Sequence, residues 1–519
     1  MKILFVAKDH LRINFQAMVA KHLSSKVLIK TTTLYVPYMS QIEIGNEHIN
    51  NYQFDEIFTG PDDVFPKITS EIDENEIQRI ETQYGNQPLW NLLFTERQLI
   101  PHTHSVEYGS TNYTRNEILN YFITLVNLFE SIFNTYQIDT VIDHGWHDIF
   151  RIAIDIIATK RSINYFHITP SRLYDFKEKK NRWHLGIKRV DDCLELKNEY
   201  RRLQESNEDI AEGYAYLKYF RDDAKSIYKL SDSSIQNSEK SDKEIHKKLL
   251  SITNKGKGLL KNILFTFIKS QPRQEYNFRN HTQLRGLARY RWEIIKSLRK
   301  YFSYQVFADH IPYNKIKYTL FTLHVQPEAS TSELAPFHVN QLAVIENIAR
   351  CLPLDWVLVV KQNKSMQNID PIWFQQKLKQ IPNVLLASAN ENTKELIKHS
   401  QAVISITGTS GMEASVLGKK VLQLVPTVPW IILDNVKLVT DWNYLHQILK
   451  EEHPSKVTDH FLATYLQAII NTSFTMPKGF HPSNIKSLKK LSKQELNEGA
   501  KIMSQQIIKR VEYFKGKAS

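Results

Sequence analysis

The segment that most constrains the fold runs from residue 402 to residue 425. A short apolar run, 402–406, reads as a buried strand. Thr407, Gly408, Thr409, Ser410 and Gly411 follow as a loop of small residues. A helix opens at Met412 and runs to Leu417, Gly418-Lys419-Lys420 ends it, and 421–425 gives the next strand. Strand, turn, helix and strand form one unit of a parallel sheet, because parallel neighbours need a crossover. The same order makes an anion site. Glycine lets backbone N–H groups approach a phosphate, hydroxyls add donors, and the helix start carries positive partial charge. Glu413, just inside the helix, is placed to take the hydroxyls of a ribose. A plainer reading stands beside this one, since any α/β domain uses such turns to reverse the chain.

A second segment has the same polarity. Residues 318–325 read as a strand, and the loop after it carries Gln326, Glu328, Ser330 and Thr331. Ligands in open α/β sheets bind outside the carboxyl ends of the strands, so both loops are expected to face one crevice.

Strand–helix alternation fills two parts of the chain. In 1–175 the expected strands are 3–7, 26–29, 56–58, 140–143 and 165–168, with helices over 116–136 and 149–157. The first strand is followed by Lys8-Asp9-His10, not by a glycine fingerprint, so this half is not expected to grip a dinucleotide. From 176 to 310 strands are not expected, and charged helical segments take over at 194–203, 210–230 and 283–302. In 311–490 alternation returns, with strands at 318–325, 356–361, 384–386, 402–406 and 421–425. Residues 491–519 read as a terminal helix that packs back across the molecule. Two α/β domains facing a cleft, with the nucleotide turn in the second, is the plan of a GT-B-like fold built from two Rossmann-type domains. No Asp-x-Asp metal triplet of the alternative GT-A plan occurs, and no metal or cofactor is expected.

Charge and length narrow the class further. The net charge is +12 over 519 residues, which suits anionic partners. No zinc-finger spacing or RNA-binding signature is present, so nucleic acid is not expected as a partner. No apolar run reaches the ~18 residues of a spanning helix. The N-terminal residues read as a strand rather than a signal peptide, and the two cysteines, Cys193 and Cys351, suit a reducing compartment. A cytoplasmic location is expected. Basic residues crowd 247–300, broken by Leu259, Leu260, Ile263, Phe265 and Phe267. That stretch is either a helix docked on the core or a peripheral contact with an anionic inner-membrane surface.

Three segments taken together resemble the capsule polysaccharide biosynthesis family, GT-B glycosyltransferases related to the bacterial Kdo transferases. They are Gln326-Pro-Glu-Ala-Ser-Thr331, Val359-Val-Lys-Gln-Asn-Lys-Ser-Met366 and Thr407-Gly-Thr-Ser-Gly-Met-Glu-Ala414. Ile142-Asp-His-Gly-Trp-His-Asp-Ile-Phe-Arg151 and Thr169-Pro-Ser-Arg172 are also similar to family segments. The resemblance implies transfer of a sugar from a nucleotide-sugar donor to a glycan or lipid-linked acceptor in surface polysaccharide synthesis. It breaks at Lys361-Gln362-Asn363-Lys364, where the family usually has Lys-Glu-His-Pro. The His-Pro pair is associated with a CMP donor, so a different nucleotide stays open. Lys361 and Lys364 still offer positive charge to a phosphate.

Within that frame the donor site is expected from Lys361, Thr407, Gly408, Thr409, Ser410, Gly411 and Glu413. Asp143 is the first candidate for general base, with His144, His147 and Glu328 as rivals, because Asp143-His-Gly follows a strand on the edge facing the cleft. Asp148 reads as a helix N-cap and Arg172 as a clamp for an anionic acceptor. His102-Thr-His104 reads as a solvated loop. Two other functions fit the same architecture: a sugar-nucleotide epimerase, and a catalytically degenerate module that binds a glycan or a partner.

Overall fold

The computed structural model describes residues 1–37, 52–60, 71–95, 114–145, 148–188, 193–222, 299, 306–307, 309–326, 328–366, 370–451, 457–481 and 485–518. The basic stretch 247–300, apart from Arg299, lies outside them, as do His102, His104 and His147.

The first sheet contains β1 (Lys2–Val6), β2 (Thr31–Val36), β3 (Glu56–Thr59), β4 (Thr140–Asp143), β5 (Asn164–Asp175) and β6 (Lys180–Gly186). Its order is β6-β5-β4-β1-β2-β3, with β1 to β5 parallel and β6 antiparallel to β5. Parallel strands are covered on both faces and therefore read as unbroken apolar runs. Ile3, Leu4, Phe5 and Val6 of β1 are all fully buried. One face carries helix α1 (His10–Ser24). The other carries α2 (Arg115–Tyr136) and α3 (Ile149–Lys160). A capping box between Thr114 and Glu117 starts α2, and Gln137, left-handed at φ 51°, ends it.

The second sheet contains β7 (Lys317–Thr322), β8 (Trp356–Lys361), β9 (Val384–Ala387), β10 (Ala402–Ser405), β11 (Val421–Gln423) and β12 (Val436–Leu438). All of its pairings are parallel, in the order β12-β11-β10-β7-β8-β9. Counted from its own first strand, that is the doubly wound order 6-5-4-1-2-3. Two mostly parallel α/β sheets thus give the Rossmann-type, GT-B-like fold.

The chain passes between the two cores twice. After β6, α4 (Leu194–Glu205) and α5 (Ala211–Asp222) place Leu196, Tyr200, Leu217 and Phe220 in the core of the second sheet, against α7 (Asp459–Thr472). The helix α6 (Thr409–Val416) belongs to that same core. After α7, β13 (Phe474–Thr475) pairs with β6 and α8 (Lys493–Ala518) packs on α1 in the first domain. Arg182 of β6 fastens the return. Its guanidinium donates to Ser473 Oγ at 2.8 Å, to the Ile470 carbonyl at 2.9 Å and to Asp175 at 2.7 Å.

Three local expectations are corrected. The strand expected at 26–29 lies at Thr31–Val36, because the amides of Lys26 and Val27 still close α1 on the Leu23 carbonyl and Leu28 is exposed. A strand, β6, stands in the segment read as strand-free. Its alternation is carried by Trp183 and Leu185 facing the core while Arg182 and His184 bind the far end of α7. Helix α6 begins at Thr409, not Met412, so the small residues are its first turn.

The α5–α7 contact depends on Gly213. Its N–H donates to Gln467 Oε1 at 2.9 Å, and a Cβ there would overlap the carbonyl oxygen of Ala463. Gly213→Leu must push the helices apart, at about 1–3 kcal/mol for an overpacked site. The urea midpoint is expected to fall accordingly; an unchanged midpoint would mean the helices do not meet at this face.

Candidate functional site

In the second sheet the strand order reverses between β7 and β10, with β8 and β9 on one side and β11 and β12 on the other. The crevice of such a sheet lies at the carboxyl ends of the strands flanking the reversal. The loops that leave those two ends are 323–328 and 406–408, the two singled out by sequence. They are joined. Thr322 Oγ1 lies 2.6 Å from Ser410 Oγ, and the N–H of Thr407 donates to His324 Nε2 at 3.1 Å. Gln341 holds the His324 backbone, accepting from its N–H at 2.7 Å and donating to its carbonyl at 3.3 Å.

His324 is buried and neutral. Burial first, and then the Arg172 charge, brings its pKa down to about 4. Because Nε2 accepts, the proton sits on Nδ1. That Nδ1 is buried without a hydrogen-bond partner among the described residues, as are Thr407 Oγ1 and Gln326 Oε1. Buried polar atoms are usually paired, and three that are not lie at this reversal.

The helix start completes the cradle. Gly408 is the N-cap of α6 and supplies no side-chain cap, which leaves the first N–H groups of the helix open to an anion. Gly411 is required by close packing, since a Cβ would sit 3.0 Å from both Ser405 Cβ and Trp430 Nε1. Lys361 ends β8 beside this crevice. Its ammonium donates to the carbonyls of Ala389 at 3.2 Å and Gln362 at 3.4 Å. Burial, with Lys364 next, brings its pKa down to about 8, so it is still mostly charged at neutral pH. Glu413 is buried in the middle of α6, near enough to Lys361 and Lys394 to act on both charges. Glu328 starts a short helical turn, its carbonyl accepting from Thr331 and Ser332. Among the described residues its half-buried carboxylate makes no hydrogen bond or ion pair.

The first sheet reverses between β1 and β4, and Asp143 ends β4 there. Asp143 is fully buried. It accepts from Arg151 at 2.6 and 3.0 Å, from Tyr165 at 2.7 Å, and from the N–H groups of His144 and Gly145 at 2.6 and 3.1 Å. Burial pushes its carboxyl up, but the Arg151 charge and hydrogen bonds outweigh that and hold it below the ordinary value. A carboxylate with five donors and no exposed surface organises the loop; it is poorly placed to take an acceptor proton. Asp148, expected to cap α3, sits at φ 118° and makes no cap bond. Its carboxylate instead pairs with Lys8 at 2.5 Å and with Arg151. His144 Nδ1 takes a hydrogen bond from Gln16 at 3.2 Å, and burial brings its pKa to about 3, so it is a neutral ring already engaged as an acceptor rather than free as a base.

Arg172 is not a free acceptor clamp. Its Nη1 donates to the Thr407 carbonyl at 2.9 Å and its guanidinium lies 5.5 Å over the Trp430 ring. The structure therefore gathers Thr407, Gly408, Thr409, Ser410, Gly411, Lys361 and Arg172 around one crevice and keeps Asp143 and His144 in the other domain. Sequence reading missed His324, Trp430 and Arg151. His324 lies two residues past a strand end in a segment already picked out, which is the signal that was available.

No protein-family model and no curated protein matches the chain. Among solved structures it is similar to the β-Kdo 2,4 transferase of Thermosulfurimonas dismutans KpsC, at 12% identity and a TM-score of 0.34, covering 66% of this chain and 82% of that one. It is similar to Staphylococcus aureus MnaA, solved with UDP, at 12% identity and 0.26, covering 99% and 97%. A Neisseria meningitidis UDP-GlcNAc 2-epimerase bound to UDP-GlcNAc gives 14% and 0.23, covering 98% and 100%. The fold class stands on the strand orders of the two sheets, not on these likenesses.

The Asp143 network yields a stability expectation. Asp143→Asn leaves Arg151 buried with half its counter-charge, and breaking a buried pair costs roughly 3 kcal/mol. Chemical denaturation should show that loss. A variant as stable as the parent would return Asp143 to the list of acid–base candidates.

Proposed function

We propose that this chain is a glycosyltransferase that uses a nucleotide-sugar donor. The observation that carries the reading is the β7/β10 reversal, where an uncapped helix start, Lys361 and three buried unpaired polar atoms meet. Glycosyl transfer needs negative charge stabilised on the departing nucleotide, an activated acceptor hydroxyl, and water kept out. The first N–H groups of α6, with the Thr409 and Ser410 hydroxyls and the Lys361 ammonium, serve the departing phosphate. The peptides entering α6 are already hydrogen-bonded in place, so little reorganisation is needed as charge develops.

The acceptor enters from the first domain. With Asp143 committed to Arg151, the base passes to Glu328, the one sequence candidate whose carboxylate is uncommitted among the described residues and which leaves β7 at the donor crevice. The motif resemblance to capsule polysaccharide enzymes supports a glycan or lipid-linked glycan acceptor of a bacterial surface polymer. Among the described residues no helix is long and apolar enough to cross a membrane. A membrane-surface role for 247–300 remains part of the proposal, tied to a lipid-linked acceptor.

Two substitutions separate the halves of this reading. Ser410→Asp sets a negative charge at the helix start, and titration calorimetry with CMP, UDP, GDP and dTDP should show the favoured nucleotide weakened at least tenfold. Equal affinity in a folded variant would remove the donor from this crevice. Glu328→Gln keeps shape but not proton-accepting capacity. Transfer should drop by about a hundredfold, the usual size of a general-base effect, with nucleotide affinity retained. Full turnover in that variant would exclude Glu328 as the base.

A further inference from the structure

The two peptides that lead into α6 are each held at both ends. In the peptide joining residues 406 and 407, the Ile406 carbonyl accepts from Gln423 Nε2 and the Thr407 N–H donates to His324 Nε2. In the peptide joining 407 and 408, the Gly408 N–H donates to Ser405 Oγ at 3.1 Å and the Thr407 carbonyl accepts from Arg172. A peptide is a rigid plane, so fixing its oxygen also fixes the direction of its N–H. Three of these four holds come from the second domain. The fourth, Arg172, comes from β5 of the first.

Arg172 is set for that reach. It stands at φ 61°, where the register of β5 against β6 shifts between Pro170 and Tyr174. A bulge of this kind re-aims a side chain. A left-handed arginine is strained and persists only where the surroundings over-determine it. Here the guanidinium is stacked over Trp430, itself buried and fixed by its indole N–H donating to Gln423 Oε1 at 3.0 Å. Gln423 thus supports both the plate beneath Arg172 and the first of the two peptides.

We propose that Arg172 is a positioning residue that couples β5 of the first sheet to the order of the donor loop. Its bond to the Thr407 carbonyl locks the last end of the peptides entering α6, and Leu173 beside it is buried in the core of the second sheet. This rests on the donor-site reading only for its consequence on nucleotide affinity; the coupling itself is a property of the unliganded chain.

The test uses Arg172→Asn in the full chain. Asparagine accepts a left-handed backbone, so the bulge survives while the guanidinium is lost. In the protein without nucleotide, hydrogen exchange at the Thr407, Gly408 and Gly411 amides should quicken on the order of tenfold, the size of a lost charge-assisted hydrogen bond. Amides within β7 and β10 should exchange as before, which separates loop release from general unfolding. Calorimetry with UDP and CMP should show weaker binding to the variant. Unchanged exchange at those three amides would overturn the coupling. If exchange quickens but the wild-type chain binds neither nucleotide, the coupling stands and the donor reading falls. Arg172→Lys should recover part of the protection, since an ammonium can still donate to the carbonyl but matches the ring less well.

Discussion

A parallel strand cannot be reached by a tight turn. Each crossover must run back over a face of the sheet, so every strand of the sheet points the same way and all carboxyl ends share one edge. The second sheet obeys this throughout and the first from β1 to β5, and in both the order reverses beside the first strand, at β1/β4 and at β7/β10. Where two crossovers leave for opposite faces, neither covers the gap between them. The edge is therefore polar, loop-built and open in the middle of an otherwise apolar molecule. Asp143 ends β4 on the first edge, and the start of α6, with the positive partial charge of a helix N-terminus, lies on the second.

The two edges handle charge differently. At the first, Asp143, Arg151, Asp148 and Lys8 form a closed set in which each charge is met by an opposite one. Removing charges from water is costly, and the geometry recovers that cost by meeting carboxylate oxygens with several donors at once. At the second, Lys361 keeps most of its charge against burial while its ammonium donates, among the described residues, to the carbonyls of Gln362 and Ala389.

Sequence carried the core strands well because buried parallel strands are continuous apolar runs: β8 and the start of β10 lie where 356–361 and 402–406 placed them. It failed where the deciding partner is remote. Lys180–Gly186 reads as polar because Arg182 and His184 spend their donors on 470–473, nearly three hundred residues away. Residues 26–29 had strand-like composition, but nothing local said that α1 was still closing there. The strand–turn–helix unit around Gly408 was legible because its parts are contiguous. Asp143 was legible as a carboxylate at a sheet edge, yet its engagement with Arg151 and Tyr165 depends on how α3 and β5 pack, which no short motif encodes. The neutrality of His324 and His144 is likewise a product of burial.

The return of the chain to its first domain has a consequence for biosynthesis. The apolar layer on one face of the first sheet joins Phe15, Val19 and Leu23 of α1 to Leu496, Ala500, Met503 and Ile507 of α8. Ser504 also donates to the Val19 carbonyl, across a separation of 485 residues. The domain that leaves the ribosome first is thus among the last to be finished. Its sheet can assemble early, but one flank of α1 stays bare until the second domain has been made and α8 has been delivered. Contacts of such sequence separation fold slowly, and exposed apolar flanks invite association in the interval. Among the described elements α8 is the strip that seals α1, and it cannot do so until the second sheet has been made.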